Sequence, residues 1–320
     1  AMTHQVKISR RNFVHEILSG GSLAMAGTGW LIGAEETNTS VSKDQYEIGI
    51  YTRPWAQYDY RVALDQIAAA GFRQAGLMTC KGRPGNLVLS VSTTADEAAM
   101  IGEEVKRRGL QVPSVYGGGI PVAKSLEAGI EGMQRLIDNC VAVGAKSLLM
   151  GGIGSDKLYD VYYKAIAETC DYAAEKGLPI TVKPHGGLNS TGPQCRRCIE
   201  LVGHKNFSLW YDPGNIFFYS DGQLDPVDDA ATVDGIVTVG ICIKDFDLTL
   251  KSGKPTRNVA LTPGTGKVDF FRVLNVLRRG GFTHGHLVIE CLAPGDGSLS
   301  TILAEARQAR EYVEGLIASL

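Results

Sequence analysis

The sequence predicts a single (β/α)8 barrel, and three observations carry that prediction. Eight short apolar runs alternate with eight longer segments of helical period along the 320 residues. Glycines stand just past most of the helical segments, where a chain turns into its next strand. No glycine-rich phosphate fingerprint follows the first apolar run, as it would in an open doubly wound sheet.

The strands fall at residues 47–51, 74–78, 111–116, 147–150, 179–183, 208–211, 237–243 and 286–290, each rich in the Val, Ile, Leu and Tyr that suit a buried parallel sheet. Helices are expected over 61–70, 94–108, 126–143, 160–176, 193–202, 226–234 and 270–279, with 298–319 closing the last unit. Gly71, Gly109, Gly144, Gly177, Gly203 and Gly280 are the expected left-handed helix ends. Gly117 to Gly119 after the third strand, and Gly151 with Gly152 after the fourth, read as points of close backbone approach at the barrel mouth.

Ahead of the barrel the chain reads as an address. Lys7, Arg10 and Arg11 form a basic patch, and residues 17–34 are apolar, rich in Gly and Ala, and free of acids. The run Ser9-Arg10-Arg11-Asn12-Phe13-Val14 resembles the twin-arginine export motif. The expected organisation is a signal segment over 1–34, a polar linker over 35–45 and a barrel over 46–320, with cleavage near Ala34, no stable membrane span afterwards and a periplasmic location.

Lys plus Arg number 32 and Asp plus Glu 34, a net charge of −2 that leaves no basic field to gather phosphates and argues against nucleic acid as a partner. Seven scattered cysteines read as free thiols, and Cys195 with Cys198 as accidental spacing within a helix. His4, His15, His204, His284 and His286 fall in the signal, past a helix end or at the amino face, outside a barrel's reactive end. Helical faces rich in Ala and Leu permit a homo-oligomer without specifying one.

Barrel chemistry sits where strands end, and four consecutive strands end on ionisable groups. These are Lys183 and His185 after the fifth, Asp212 after the sixth, with Asn215 three residues on as a substrate-binding candidate, Cys242 and Lys244 on the seventh, and Glu290 on the eighth. Residues two apart share a strand face, so Lys183 with His185, and Cys242 with Lys244, look into the axis if the extended geometry persists. His185, Asp212 and Glu290 form an oxygen and nitrogen shell suited to a divalent ion. Tyr51, Arg53 and Trp55 after the first strand and Tyr116 after the third suit a carbohydrate, whose apolar face stacks on aromatic rings. The stretch 246–265 is long for a connection and reads as a lid or an oligomer contact.

Tyr211-Asp212-Pro213-Gly214-Asn215, Ile243-Lys244-Asp245, the run from Pro263 to Phe270 and Leu287-Val288-Ile289-Glu290 resemble the xylose-isomerase-like barrel superfamily of sugar isomerases, epimerases and abasic-site endonucleases. The resemblance implies one divalent metal, Mn, Mg, Co or Zn, held by Glu, Asp, His and Glu at strands five to eight. Asp212 and Glu290 match that pattern, Lys183 and Cys242 stand in for the other two ligands, and Asn215 stands where many members carry a second His. It further implies an isomerase or epimerase that removes a proton beside the carbonyl of a small keto-sugar or oxidised glycoside, with Lys183, Glu290 and Lys244 as catalytic groups. Elimination from a keto-glycoside begins with the same step. Three arrangements are open: a rebuilt metal centre of His185, Asp212 and Glu290, joined or not by Cys242; a metal-free site with Lys183 in the ion's place; and a carbohydrate-binding barrel without catalysis.

Overall fold

The computed structural model describes residues 45–251 and 253–320. The expected signal over 1–34 and all of the linker except Gln45 lie outside the described residues. In chain order the elements are β1 (Gln45–Tyr51), α1 (Tyr60–Ala69), β2 (Gln74–Gly76), α2 (Ala95–Arg107), β3 (Val115–Tyr116), α3 (Leu126–Val143), β4 (Leu148–Met150), α4 (Asp156–Ala167), α5 (Cys170–Glu175) and β5 (Ile180–Val182). They continue with α6 (Gly192–Val202), β6 (Phe207–Tyr211), α7 (Pro213–Tyr219), α8 (Pro226–Ala230), β7 (Val237–Ile243), β8 (Asp247–Lys251), β9 (Lys254–Asn258), α9 (Phe270–Arg279), β10 (His284–Ile289) and α10 (Leu299–Ala318).

Eight parallel strands run in the order β2-β1-β10-β7-β6-β5-β4-β3. Bridges from Gln74 to Gln111 and from Leu77 to Val115 close the seam between β2 and β3, which completes a (β/α)8 barrel. The first strand pairs with the last, Ile48 opposite Leu287 and Ile50 opposite Ile289.

Strand alternation divides the buried residues into two sets. Tyr51, Met78, Leu149, Trp210, Cys242 and Val288 pack together inside the barrel. Their sequence neighbours Ile50, Leu209, Ile241, Ile243, Leu287 and Ile289 join the core under the helices. Carrying the period two residues past the interior set leads from Trp210 to Asp212, from Cys242 to Lys244 and from Val288 to Glu290, so the polar groups arrive on the axis by register.

Helix ends follow their capping chemistry. Thr94 and Glu97 form a capping box at the start of α2, and Ser125 caps α3. Gly144 ends α3 at φ 78°, the left-handed turn read from the sequence. Gly280 departs from that reading, with φ −79°; the left-handed residue is Gly281, at φ 102°. The expected helix over 160–176 breaks into α4 and α5, where the Thr169 hydroxyl bonds to the Ala165 and Ile166 carbonyls. Short α7 was not expected; Pro213 at its first position and Asp212 as its N-cap start it directly from the strand end. The stretch 246–265, read as a lid or an oligomer contact, holds the antiparallel hairpin β8–β9. Among the described residues no helix is long and apolar enough to cross a membrane.

Candidate active site

Glu290 is the centre of the strand-end cluster. Its side chain is fully buried and accepts from four donors. Lys183 Nζ donates to Oε2 at 2.6 Å and Lys244 Nζ to Oε1 at 2.8 Å. Arg53 also donates to Oε1, and the Cys242 thiol donates to Oε2 at 3.0 Å. The two ammoniums reach Asp212 Oδ2 as well, at 3.4 Å and 3.3 Å, so both lysines bridge both carboxylates.

These contacts fix the charge states. Burial works to raise the Glu290 pKa, but Lys183, Lys244 and Arg53 outweigh it and hold the carboxyl well below its ordinary range. Burial works against the Lys183 ammonium too, yet Glu290 and Asp212 keep its pKa well above the lysine norm. Lys244 shifts upward for the same reason, with Asp212 the larger attraction. Burial and Glu290 push the Cys242 thiol up, so it is a neutral donor. At neutral pH Lys183, Lys244 and Arg53 are therefore cations gathered around an ionised Glu290. A carboxylate saturated in this way is a poor base, and an ammonium so stabilised is a poor amine nucleophile.

Neighbouring backbone holds the cluster in place. Asn215 Oδ1 accepts from Lys244 at 2.8 Å while its Nδ2 donates to the Pro184 carbonyl at 2.6 Å, so this residue, expected to bind substrate, instead positions Lys244 and the strand-five loop. A side chain on Gly214 would strike the Lys244 carbonyl at 2.4 Å, which explains the glycine. Asp245 accepts the backbone N–H groups of Phe246, Gly264, Gly266 and Val268, drawing the Pro263 to Lys267 loop against β7. Asn189 ties the loops after β4 and β5 together through the Gly151 and Lys183 carbonyls; a lone loop Asn carries no signal in sequence.

At the rim, His185 is partly open to solvent while its ring stands 6.1 Å from that of Tyr116 and 6.0 Å from that of Tyr219. Desolvation between those rings, followed by the Lys183 ammonium, lowers its pKa to about 4. Gly151 permits this packing, since a Cβ there would lie 2.6 Å from the Tyr116 hydroxyl and 3.1 Å from His185 Nδ1. Tyr219, on the unexpected α7, was missed in sequence for that reason. Lys183 Nζ stands 5.8 Å from the Tyr116 ring centroid. Arg53 keeps 38% of its side chain exposed, facing both the cluster and the mouth. Tyr51 is fully buried in the barrel interior beneath the cluster. Trp55 is not at the mouth: a short 3-10 turn over Arg53–Trp55 carries it into the core under the helices, where it is fully buried.

Ligand atoms of Asp212, Cys242 and Glu290 lie within 4.8 Å of one another, a spacing that a metal ion could bridge, and His185 lies outside that group. The surrounding donors do not fit such an ion. Both carboxylates are already taken by two ammoniums, Glu290 also by a guanidinium, and a divalent cation there would face three fixed positive charges. The third ligand would have to lose a proton that burial holds in place.

The family model described as the xylose isomerase-like TIM barrel matches residues 64–316. The chain belongs to this family. Among solved structures, a xylose isomerase domain protein from Planctomyces limnophilus superposes with a TM-score of 0.63 at 20% identity, covering 86% of this chain and 100% of that one. An L-ribulose 3-epimerase gives 0.63 at 15% identity over 86% and 95% of the two chains. A D-psicose 3-epimerase from Clostridium cellulolyticum H10, solved with D-tagatose, gives 0.63 at 12% identity over 85% and 99%. No curated protein matches the sequence significantly. The family barrel is thus shared.

Proposed function

We propose that this barrel is a sugar isomerase or epimerase-like enzyme that removes a proton beside the carbonyl of a small keto-sugar or oxidised glycoside. The observation that carries the reading is the pair of buried ammoniums, Lys183 and Lys244, bracketing Glu290 at 2.6 Å and 2.8 Å where the barrel opens. Proton loss beside a carbonyl places negative charge on oxygen, and preorganised cations in a dry site stabilise that charge. On this reading the ammoniums do what a metal does elsewhere, Glu290 and Asp212 position them, and the neutral His185 imidazole at the rim accepts the proton. Membership of a family whose solved relatives include 3-epimerases supports a sugar substrate. The twin-arginine motif supports action in the periplasm.

The test is hydrogen exchange at carbon, which reports proton removal whether isomerisation, epimerisation or elimination follows. The full chain is incubated in D2O with D-fructose, D-tagatose, L-ribulose and 3-keto-glucosides, and NMR follows deuterium entering beside the carbonyl. Exchange is expected with at least one of them, slowed about 100-fold or more in Lys183→Met and in His185→Gln. Binding without exchange would replace this reading with a noncatalytic carbohydrate-binding barrel. Exchange undiminished in both variants would retire the assigned groups.

A further inference from the structure

A cavity of about 190 Å³ opens beside the ammonium cluster, and its walls are unlike it. Val259, Ala260, Leu292, Ala293 and Pro294 line it, together with Arg53 and Glu290, which it shares with the cluster. A free keto-sugar carries hydroxyls around its ring, and burying them against these walls would leave them without partners. An apolar cavity of about 150 Å³ is enough to take benzene. We propose that this cavity is a subsite for an apolar aglycone, a single aryl ring carried by an oxidised glycoside whose sugar ring sits over Lys183 and Lys244. The proposal rests on the proton-abstraction reading for where the sugar sits. Arg53 joins the two regions: its guanidinium holds Glu290 on one side and lines the aryl cavity on the other, where it can face the oxygen linking sugar to ring. The substrate class is then an aryl glycoside in its keto form, in place of a free sugar.

The test compares methyl and phenyl β-glycosides of glucose, galactose and xylose by calorimetric titration of the full chain, alongside the exchange assay with their 3-keto forms. In at least one pair the phenyl compound is expected to bind about ten-fold tighter or more than the methyl compound. Ala260→Trp, at an exposed position on the cavity wall, is expected to abolish that gain while leaving methyl-glycoside binding and keto-sugar exchange unchanged. Ala293→Leu fills the same cavity from a second lining position and should act the same way. Equal binding of methyl and phenyl partners in every pair, no binding of any, or an aryl gain that survives both variants would overturn the subsite. Keto-sugar exchange with no aryl gain would sink the subsite and leave the proton-abstraction reading standing. An aryl gain without exchange would do the reverse.

Discussion

Removing the charge on Glu290 should cost far more stability than removing the charge on Lys183, although the two side chains share one bond. Glu290→Gln leaves three cations facing Asp212 alone, two of them buried lysines. Loss of one partner from a buried ion pair typically costs about 3–5 kcal/mol because the remaining charge is uncompensated. Lys183→Met instead leaves Lys244 and Arg53 against Asp212 and Glu290, a balanced set. What is lost is mainly the 2.6 Å charged hydrogen bond, about 1.5–3 kcal/mol, since the 3.4 Å contact to Asp212 is long. Thermal denaturation followed by tryptophan fluorescence measures both, and Trp210 inside the barrel reports on the region directly. Glu290→Gln is expected to lower Tm on the order of 10 °C, and Lys183→Met by about half that. A Glu290→Gln protein as stable as wild type, or more stable than Lys183→Met, would refute the picture of an anion caged by three cations.

Three further predictions concern pH and metal. With His185 as the base and a pKa of about 4, kcat/KM for exchange should rise with pH through that value and then stay level until the lysines deprotonate, above their ordinary value of about 10.5. A limb centred near pH 6.5 would show that His185 is not held down as described. The stability profile has its own signs. His185 is lowered, so below its unfolded pKa of about 6.5 the unfolded chain binds more protons and stability falls towards pH 4. Glu290 is lowered as well, so its contribution is complete above about pH 4.5 and is lost as pH falls towards its folded value. His185→Gln should flatten the part of the profile between 6.5 and 4. Elemental analysis of protein purified without an affinity tag should find divalent metal well below one ion per chain, and dialysis against a chelator should leave exchange unchanged. A full equivalent that disappears in Asp212→Ala would restore the metal centre.

The sequence made the barrel and the composition of its mouth legible because both follow from a period of two. Once Trp210, Cys242 and Val288 are inward, Asp212, Lys244 and Glu290 must be inward too, and no tertiary detail is needed to place them. Where the strand geometry stops, that logic stops with it. His185 follows Lys183 by two, but Pro184 and Gly186, with φ 88°, end the extended run, and the imidazole turns to the rim between Tyr116 and Tyr219. Trp55 follows Arg53 by two, but the 3-10 turn gives it a different direction. The charge state of the cluster was also illegible. A list holding Lys, Asp, Cys and Glu is compatible with a metal shell or a salt-bridge cage, and the choice lies in distances of a few ångströms between side chains 29 to 107 residues apart.

The pairing of the first strand with the last has a consequence for how the protein is made. Arg53 and Glu290 stand 237 residues apart in the chain, and they meet only when the final strand docks beside the first. Until the ribosome has released the last βα unit, the lysines on the fifth and seventh strands have no Glu290 to bind, and the open sheet presents two unpaired edges. Such long-range closure is slow by loop-closure entropy, and a sheet left open meanwhile offers edges that other chains can pair with. A chain truncated before the last strand lacks the anion that holds the two buried ammoniums, so the cluster exists only in the closed barrel.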